Sequence, residues 1–417
     1  MSSRVFPRIF FPRIFFPSIF AISTCVPASL LVAGSSLGAA APPAGESLPP
    51  VAPPVESPAP PVEPPAPTAP VVELAICLDV SGSMDGLLDG ARARLWSLVS
   101  DLATATPTPS LKVALLTFGC DAYDPTAGWT RIDAPFTDDL DLVSARLFAL
   151  STNGGTELVG RVVALAAREL AWTPGEGVVR MIVVAGNESA NQDQEVPYPS
   201  ACREAIERAI LVNSIFCGSP GDPIAAEWAD VARRADGQFV AIDQSRDVVD
   251  PPTPMDEELA GLSASINETY LACGEQGAMR WQNQSAQDAN ALRLGSGAAA
   301  SRASAKASAL YDNRGWDLVD GCAAGTLDLA TIPDADLPEE MRGKTLEEKR
   351  AIVEAKGKER AEIRSRIESL QKSRAEFIAA ARRAAADSGA TSLDDALRQA
   401  IRTQATRAGL SWTKEGS

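Results

Sequence analysis

Histidine is missing from all 417 residues. That absence removes the general base of Ser/His/Asp and Cys/His nucleophilic sites and every His-bearing zinc site, so most hydrolase chemistry has no place in this chain. Positive charge is scarce as well: 38 Lys and Arg stand against 54 Asp and Glu, a formal net charge of −16. Without clustered cations to displace counterions, a nucleic-acid surface is excluded, and a cationic partner or a bound divalent metal fits better. After the first forty residues no apolar run reaches the ~20 residues that a membrane-spanning helix needs, so no span is expected beyond the leader.

The leader itself is present. Arg4, Arg8 and Arg13 precede an apolar stretch from about Ile14 to Val32, and small residues follow. This is the order of an export signal, and a cut after Ala40 places Gly38 and Ala40 at the two small-residue positions. The repeated FPRIF, whose prolines weaken the helix, leaves an uncleaved anchor as the alternative. Export implies a periplasmic, cell-envelope or secreted protein. Residues 41–70 are proline-rich and cannot form hydrogen-bond ladders, so they read as an extended polyproline linker of up to ~90 Å. Removing the leader discards Cys25 and leaves Cys77, Cys120, Cys202, Cys217, Cys273 and Cys322, an even number that permits disulfides in an exported chain. Cys77, inside an apolar run, reads as a small buried hydrophobe. Cys202 and Cys217 are the candidate pair, because a helix over about 200–210 followed by a strand over 211–216 brings the start of one beside the end of the other.

From 71 to 250 apolar runs alternate with helical stretches. Strands are predicted at 71–79, 111–119, 129–135, 178–186, 211–218 and 238–244, and four are nearly continuous apolar runs, as parallel strands covered on both faces should be. Helices are predicted at 86–104, 138–150, 156–172, 200–210 and 222–235. The expected fold class is a doubly wound, mostly parallel α/β sheet, with the more polar WTRIDAP (129–135) as an antiparallel edge strand. Residues 251–417 read as a helical extension, with helices at 256–271, 276–310, 345–386 and 391–408. Capping boxes open two of them, Thr345 with Glu348 and Ser392 with Asp395. Ile363, Ile367, Leu370 and Phe377 form a narrow apolar stripe that Lys356, Glu359 and Arg374 interrupt. A solvated hairpin or an arm packed on the domain therefore fits better than a sustained coiled coil.

The chemistry concentrates in AICLDVSGSMDG (75–86), where the first apolar run stops and Asp79, Ser81 and Ser83 follow at every second position. Ligands of open α/β sheets gather beyond the carboxyl ends of the strands, and Gly82 lets the chain curl so that the three oxygens converge. One carboxylate and two hydroxyls suit a hard divalent ion such as Mg²⁺.

Over about 71–245 the sequence resembles the von Willebrand factor type A (VWA) family, whose metal-ion-dependent adhesion site begins with Asp-x-Ser-x-Ser after the first strand and continues with a threonine in a later loop. STNGGTELVG (151–160) matches the threonine segment. The resemblance implies that Asp79, Ser81, Ser83 and Thr156 surround Mg²⁺ (or Mn²⁺ or Ca²⁺), leaving one coordination position for an acidic group of a protein partner. The family's fourth strand usually ends in Thr-Asp-Gly; here Gly186 stands where that carboxylate belongs, with Asn187 or Glu188, or Asp193 or Glu195 from the following loop, as substitutes. Two readings stay open: a weakened or rewired metal site, and a retained fold whose metal site has decayed. Asp121 and Asp124 read as an ordinary acidic turn, Trp129, Trp172 and Trp228 as packing residues, and Glu157 as a cap on its helix's positive end. INETYLACGEQGAMRWQNQSAQDANAL (266–292) and the segments after it look similar to the C-terminal extension of exported bacterial proteins that carry this domain. The expectation is a non-enzymatic, metal-assisted adhesion module; the alternative is a metal-independent scaffold whose helical arm binds the partner.

Overall fold

A computed structural model describes residues 70–242, 251–384 and 393–412. The leader, the proline-rich stretch and Ser392 of the second capping box lie outside the described residues.

Six strands form one sheet: β1 (Val71–Asp79), β2 (Ser110–Phe118), β3 (Thr130–Thr137), β4 (Val178–Gly186), β5 (Leu211–Phe216) and β6 (Phe239–Ala241). Their order is β3-β2-β1-β4-β5-β6. All pairings are parallel except β2 with β3, an antiparallel edge with register shifts between Val113 and Leu116. The polar edge strand is thus where the sequence placed it. Side-chain alternation splits the apolar runs between two cores. Leu74, Leu78, Val113, Leu115 and Val183 pack on α1 (Asp85–Ala103) and α2 (Leu140–Ala149). Ala75, Cys77, Ala114, Leu116 and Val184 pack on α3 (Val159–Glu169), α4 (Tyr198–Glu207) and α5 (Ala225–Arg234). Burial on both faces is why these strands carry no polar alternation.

The same alternation corrects the expected disulfide. Cys202 on α4 belongs to the second core, whereas Cys217, one residue past Phe216, points into the first. The sheet lies between the sulfurs, no bridge forms, and Cys202 Sγ donates instead to the Val231 carbonyl at 3.5 Å.

Among the described residues six α-helices follow: α6 (Asp256–Asn267), α7 (Gly274–Leu294), α8 (Ser296–Ala307), α9 (Leu318–Ala324), α10 (Leu346–Ala384) and α11 (Leu393–Arg407). The helix predicted over 276–310 breaks at Gly295, whose φ of +124° suits glycine alone. α9, not foreseen, starts at Asp317, which accepts from Asp320 N. Thr345 and Glu348 form the predicted reciprocal cap of α10. The interrupted stripe of α10 also has its explanation. Ile367 and Leu370 are buried against α6 and α8, Phe377 is 40% exposed, and Arg374 is buried on Asp256 at 2.7 Å. α8 lies along α1, with Ser100 Oγ donating to the Ser301 carbonyl at 3.1 Å. Buried Arg302 of α8 reaches Asp141 of α2 at 2.7 Å and stacks 4.2 Å over Trp96 of α1.

Candidate functional site

The chain leaves β1 toward β2 on one side and returns to the other side of β1 as β4, so the strand ends part beside Asp79, the position at which such sheets open a crevice. Asp79 is fully buried. Its Oδ1 accepts from Ser81 N at 2.8 Å, and this Asx-type turn curls the chain as Gly82 was expected to allow. Ser81 Oγ lies 3.2 Å from Ser83 Oγ. Ser83 is held in turn by Asn187, whose Nδ2 donates to it at 3.0 Å.

The threonine loop is stitched onto this turn through backbone. Asn153 N donates to the Val80 carbonyl at 2.9 Å, and Gly82 N to the Gly154 carbonyl at 3.1 Å. Thr156 forms a β-bridge with Gly119. Gly119 has φ +88°, and a Cβ there would sit 2.9 Å from Asp79 Oδ1 and 3.2 Å from Glu157 Cγ. Two distant stretches of the chain thus meet at one rim around a glycine that leaves room for the carboxylate.

Glu157 does not cap a helix. α3 begins at Val159 with no side-chain cap, and Glu157 is buried at 4% exposure. Burial first, then the neighbouring Asp79 charge, push its carboxyl up to about 8; burial pushes Asp79 up to about 6 against the hydrogen bonds from Ser81, and Glu188 adds a further like charge to both. Asp79 Oδ2 is buried with no hydrogen-bond partner. An orphaned carboxylate oxygen beside a second buried carboxyl is a place that a cation would stabilise, and the donors around it are all oxygens, the set a hard divalent ion takes. Among the described residues no group of three His, Cys, Asp or Glu side chains is arranged to hold a metal, so the hydroxyls would have to complete any cage.

Gly186 lies one step past the Leu78–Ala185 pairing, directly beside Asp79. A Cβ there would meet the Trp228 ring at 3.0 Å and Asp79 Oδ2 at 3.1 Å. The crowding accounts for a glycine at this position. Of the substitutes weighed, Asn187 reaches Ser83. Exposed Glu188 acts through its charge, while its carbonyl accepts from Trp228 Nε1 at 2.8 Å. Asp193 and Glu195 do not return: both are bound to Arg161, at 2.9 and 3.0 Å. Asp124 caps a 3₁₀ turn at Thr126 N. Trp172 and Trp228 pack, Trp172 edge-on against Phe136 at 4.7 Å. Sequence reasoning missed Gly119 and the site role of Glu157; the glycine that follows β2 and the acid adjoining Thr156 were the available signals.

No protein-family model and no curated protein matches the sequence. Among solved structures the chain is similar to von Willebrand factor type A from Catenulispora acidiphila, at 18% identity and TM-score 0.33, over 42% of this chain and 40% of that one. It is also similar to proximal thread matrix protein 1 from the mussel byssus with a zinc-occupied MIDAS motif, at 14% identity and TM-score 0.33, over 43% of each chain. A third is the VWA domain of SpRpn10, at 16% identity and TM-score 0.32, over 44% of this chain and 90% of that one. The match spans less than half the length of the first two proteins.

Proposed function

We propose that this chain, whose α/β domain has the doubly wound fold of VWA domains, is a non-enzymatic protein-binding module of the cell envelope or exterior that captures an acidic group of its partner with the help of Mg²⁺, Mn²⁺ or Ca²⁺. The observation that carries this reading is the buried Asp79 carboxylate with its unpartnered Oδ2. Asp79, Ser81, Ser83 and Thr156 would hold the ion directly or through water, with Asn187 and Glu188 beside them. Bound there, the ion supplies a hard positive centre to which a partner carboxylate can bond. The residues present do the positioning. Ser81 is tied to Asp79, Asn187 fixes Ser83, and Gly154 anchors the threonine loop to Gly82. With Gly186 contributing no charge, the site has fewer anionic neighbours than the family pattern provides, and its affinity for the ion should be correspondingly low.

Calorimetric titration of the chain with Mg²⁺, Mn²⁺ and Ca²⁺ tests the proposal. Saturable heat that Asp79→Ala abolishes supports it; equal heat from the variant, or none from the native chain, rejects it.

A second reading, with the helical extension as the binding surface, is favoured by one observation: α7 exposes Met279 at 63%, Trp281 at 39% and Leu292 at 62%. Under it, Trp281→Ala with Leu292→Asp removes partner binding and chelator does not.

A further inference from the structure

A small cleft of about 180 Å³ opens where the start of α2 faces α7 and the loop ahead of α9. It lies at the other end of α2 from the threonine loop, since Thr137 pairs with Val113, well below the Phe118 level of the rim. One wall includes Asp138 and Asp139 from the α/β domain, the other Met279 and Arg280 of α7, and Asn313 and Trp316 are among the residues between them.

The charges in the cleft do not balance. Asp139 accepts from Leu142 N at Oδ1, at 3.0 Å, and pairs with Arg280 through Oδ2 at 3.2 Å. Asp141 is taken by Arg302 and by the Tyr311 hydroxyl, and Asp312 by Arg314. Asp138, exposed on the rim, forms no ion pair within 4 Å among the described residues, and the Arg314 guanidinium, which feels its charge, is already bound to Asp312. Burial holds the Asp139 carboxyl above its usual range, against the hydrogen bond from Leu142 N and the charge of Arg280, with smaller contributions from Asp141 and Asp138.

A second observation is independent of charge. Asn313 is 5% exposed and lines the cleft, and its buried Nδ2 has no hydrogen-bond partner. Buried amide donors are almost always satisfied, and an exception calls for a reason. Here the reason would be an acceptor brought by a ligand.

We propose that this cleft binds a free α-amino acid. The ammonium would sit against Asp138 and Asp139, the carboxylate would accept from Asn313 Nδ2 and from Arg280, and a short side chain would lie on Met279 and Trp316. A zwitterion supplies one cation and one acceptor at neighbouring atoms, which is what the lining leaves unmatched. The volume, below the ~300–1,000 Å³ of a pocket for drug-sized ligands, limits the occupant to a small molecule. A ligand here would touch both the α/β domain and α7.

The test is a thermal-shift and calorimetric screen of the full chain, in chelator, against the free α-amino acids, with methylamine and acetate as single-charge controls. At least one small amino acid should bind saturably while neither control does at the same concentration. Asp138→Asn, on the exposed rim, and Asn313→Leu should each weaken that binding at least tenfold with unchanged circular dichroism. Should Asn313→Leu fail to fold, Asp138→Asn alone decides. Saturable binding to no amino acid, equal binding of methylamine, or unchanged affinity in Asp138→Asn would each overturn the proposal. Asp79→Ala should leave this binding intact, so failure here and failure at the Asp79 rim are separable.

Discussion

Arg360 is the side chain whose removal should cost the helical extension most. It is 1% exposed in the middle of α10. It donates to Asp317 at 2.6 and 3.2 Å, to the Thr269 carbonyl at 2.6 Å and to Thr269 Oγ1 at 2.9 Å. It also meets Asp320 at 2.8 Å and lies 4.2 Å over the Tyr270 ring. Replacing Arg360 by Met keeps the aliphatic stem and leaves Asp317 fully buried without its counter-charge. Breaking a buried pair from one side costs about 3–5 kcal/mol. Asp317 keeps two backbone donors, Leu271 N at 2.7 Å and Asp320 N at 2.8 Å, which places the expected loss near the lower end. About 3 kcal/mol corresponds to roughly a 150-fold larger unfolding constant. Urea denaturation followed by circular dichroism measures it, and hydrogen exchange localises it to peptides spanning 269–273 and 317–322. Arg360→Lys, which keeps the charge but cannot grip Asp317 with two donors, should recover part of the loss. A loss below about 1 kcal/mol for Arg360→Met would refute the reasoning, because it would mean that Asp317 is adequately solvated without the guanidinium.

Three further outcomes follow from geometry already described. Asp79→Asn should raise the melting temperature in chelator, since it removes one of two buried carboxyls pressed together and gives Oδ2's neighbours an uncharged group; a lower melting temperature would show that Asp79 is not held under electrostatic strain. Gly154→Ala, at φ +100° with its Cβ 2.5 Å from Asp121 N and 2.6 Å from the Gly119 carbonyl, should destabilise the chain by at least about 1–2 kcal/mol and weaken any divalent binding, read by denaturation and calorimetry together. Burial works to raise the Asp256 carboxyl, but Thr253 and Arg374 outweigh it and hold it below the usual range. A depressed folded-state value means that this stabilisation is complete above the unfolded value of about 4 and fades as pH falls through the folded one. The urea midpoint should therefore drop on acidification below about pH 4, and drop less in Arg374→Met.

Much of the fold was written in local pattern. β1 and β4 end where their apolar runs end, at Asp79 and Gly186, because both faces of those strands are buried and nothing else competes for the pattern. The edge strand declared itself by its polarity. What stayed hidden depended on contacts far apart in sequence. The break at Gly295 sits between two stretches equally rich in good helix formers. Arg360 and Arg374 looked like interruptions of a stripe because their partners, Asp317 and Asp256, lie on other helices. The Cys202–Cys217 expectation considered which ends came close and overlooked parity: consecutive strand residues face opposite ways, so Cys217 could not share Phe216's side. At the rim, Asp79, Ser81 and Ser83 were legible as a convergent turn, while Glu157 required knowing that its loop folds over Gly119.

The stacking of Arg302 on Trp96 sets where this chain can be cut. α1 is covered on two sides along that stretch: Trp96 is 1% exposed, with the sheet beneath and α8 above. A fragment that ended after β6 would carry the whole sheet and the whole Asp79 rim, yet it would lay a tryptophan and its leucine neighbours open to solvent. Such a piece should be sticky in solution, and a grafted or shortened version of the α/β domain would need its C-terminal helices to travel with it.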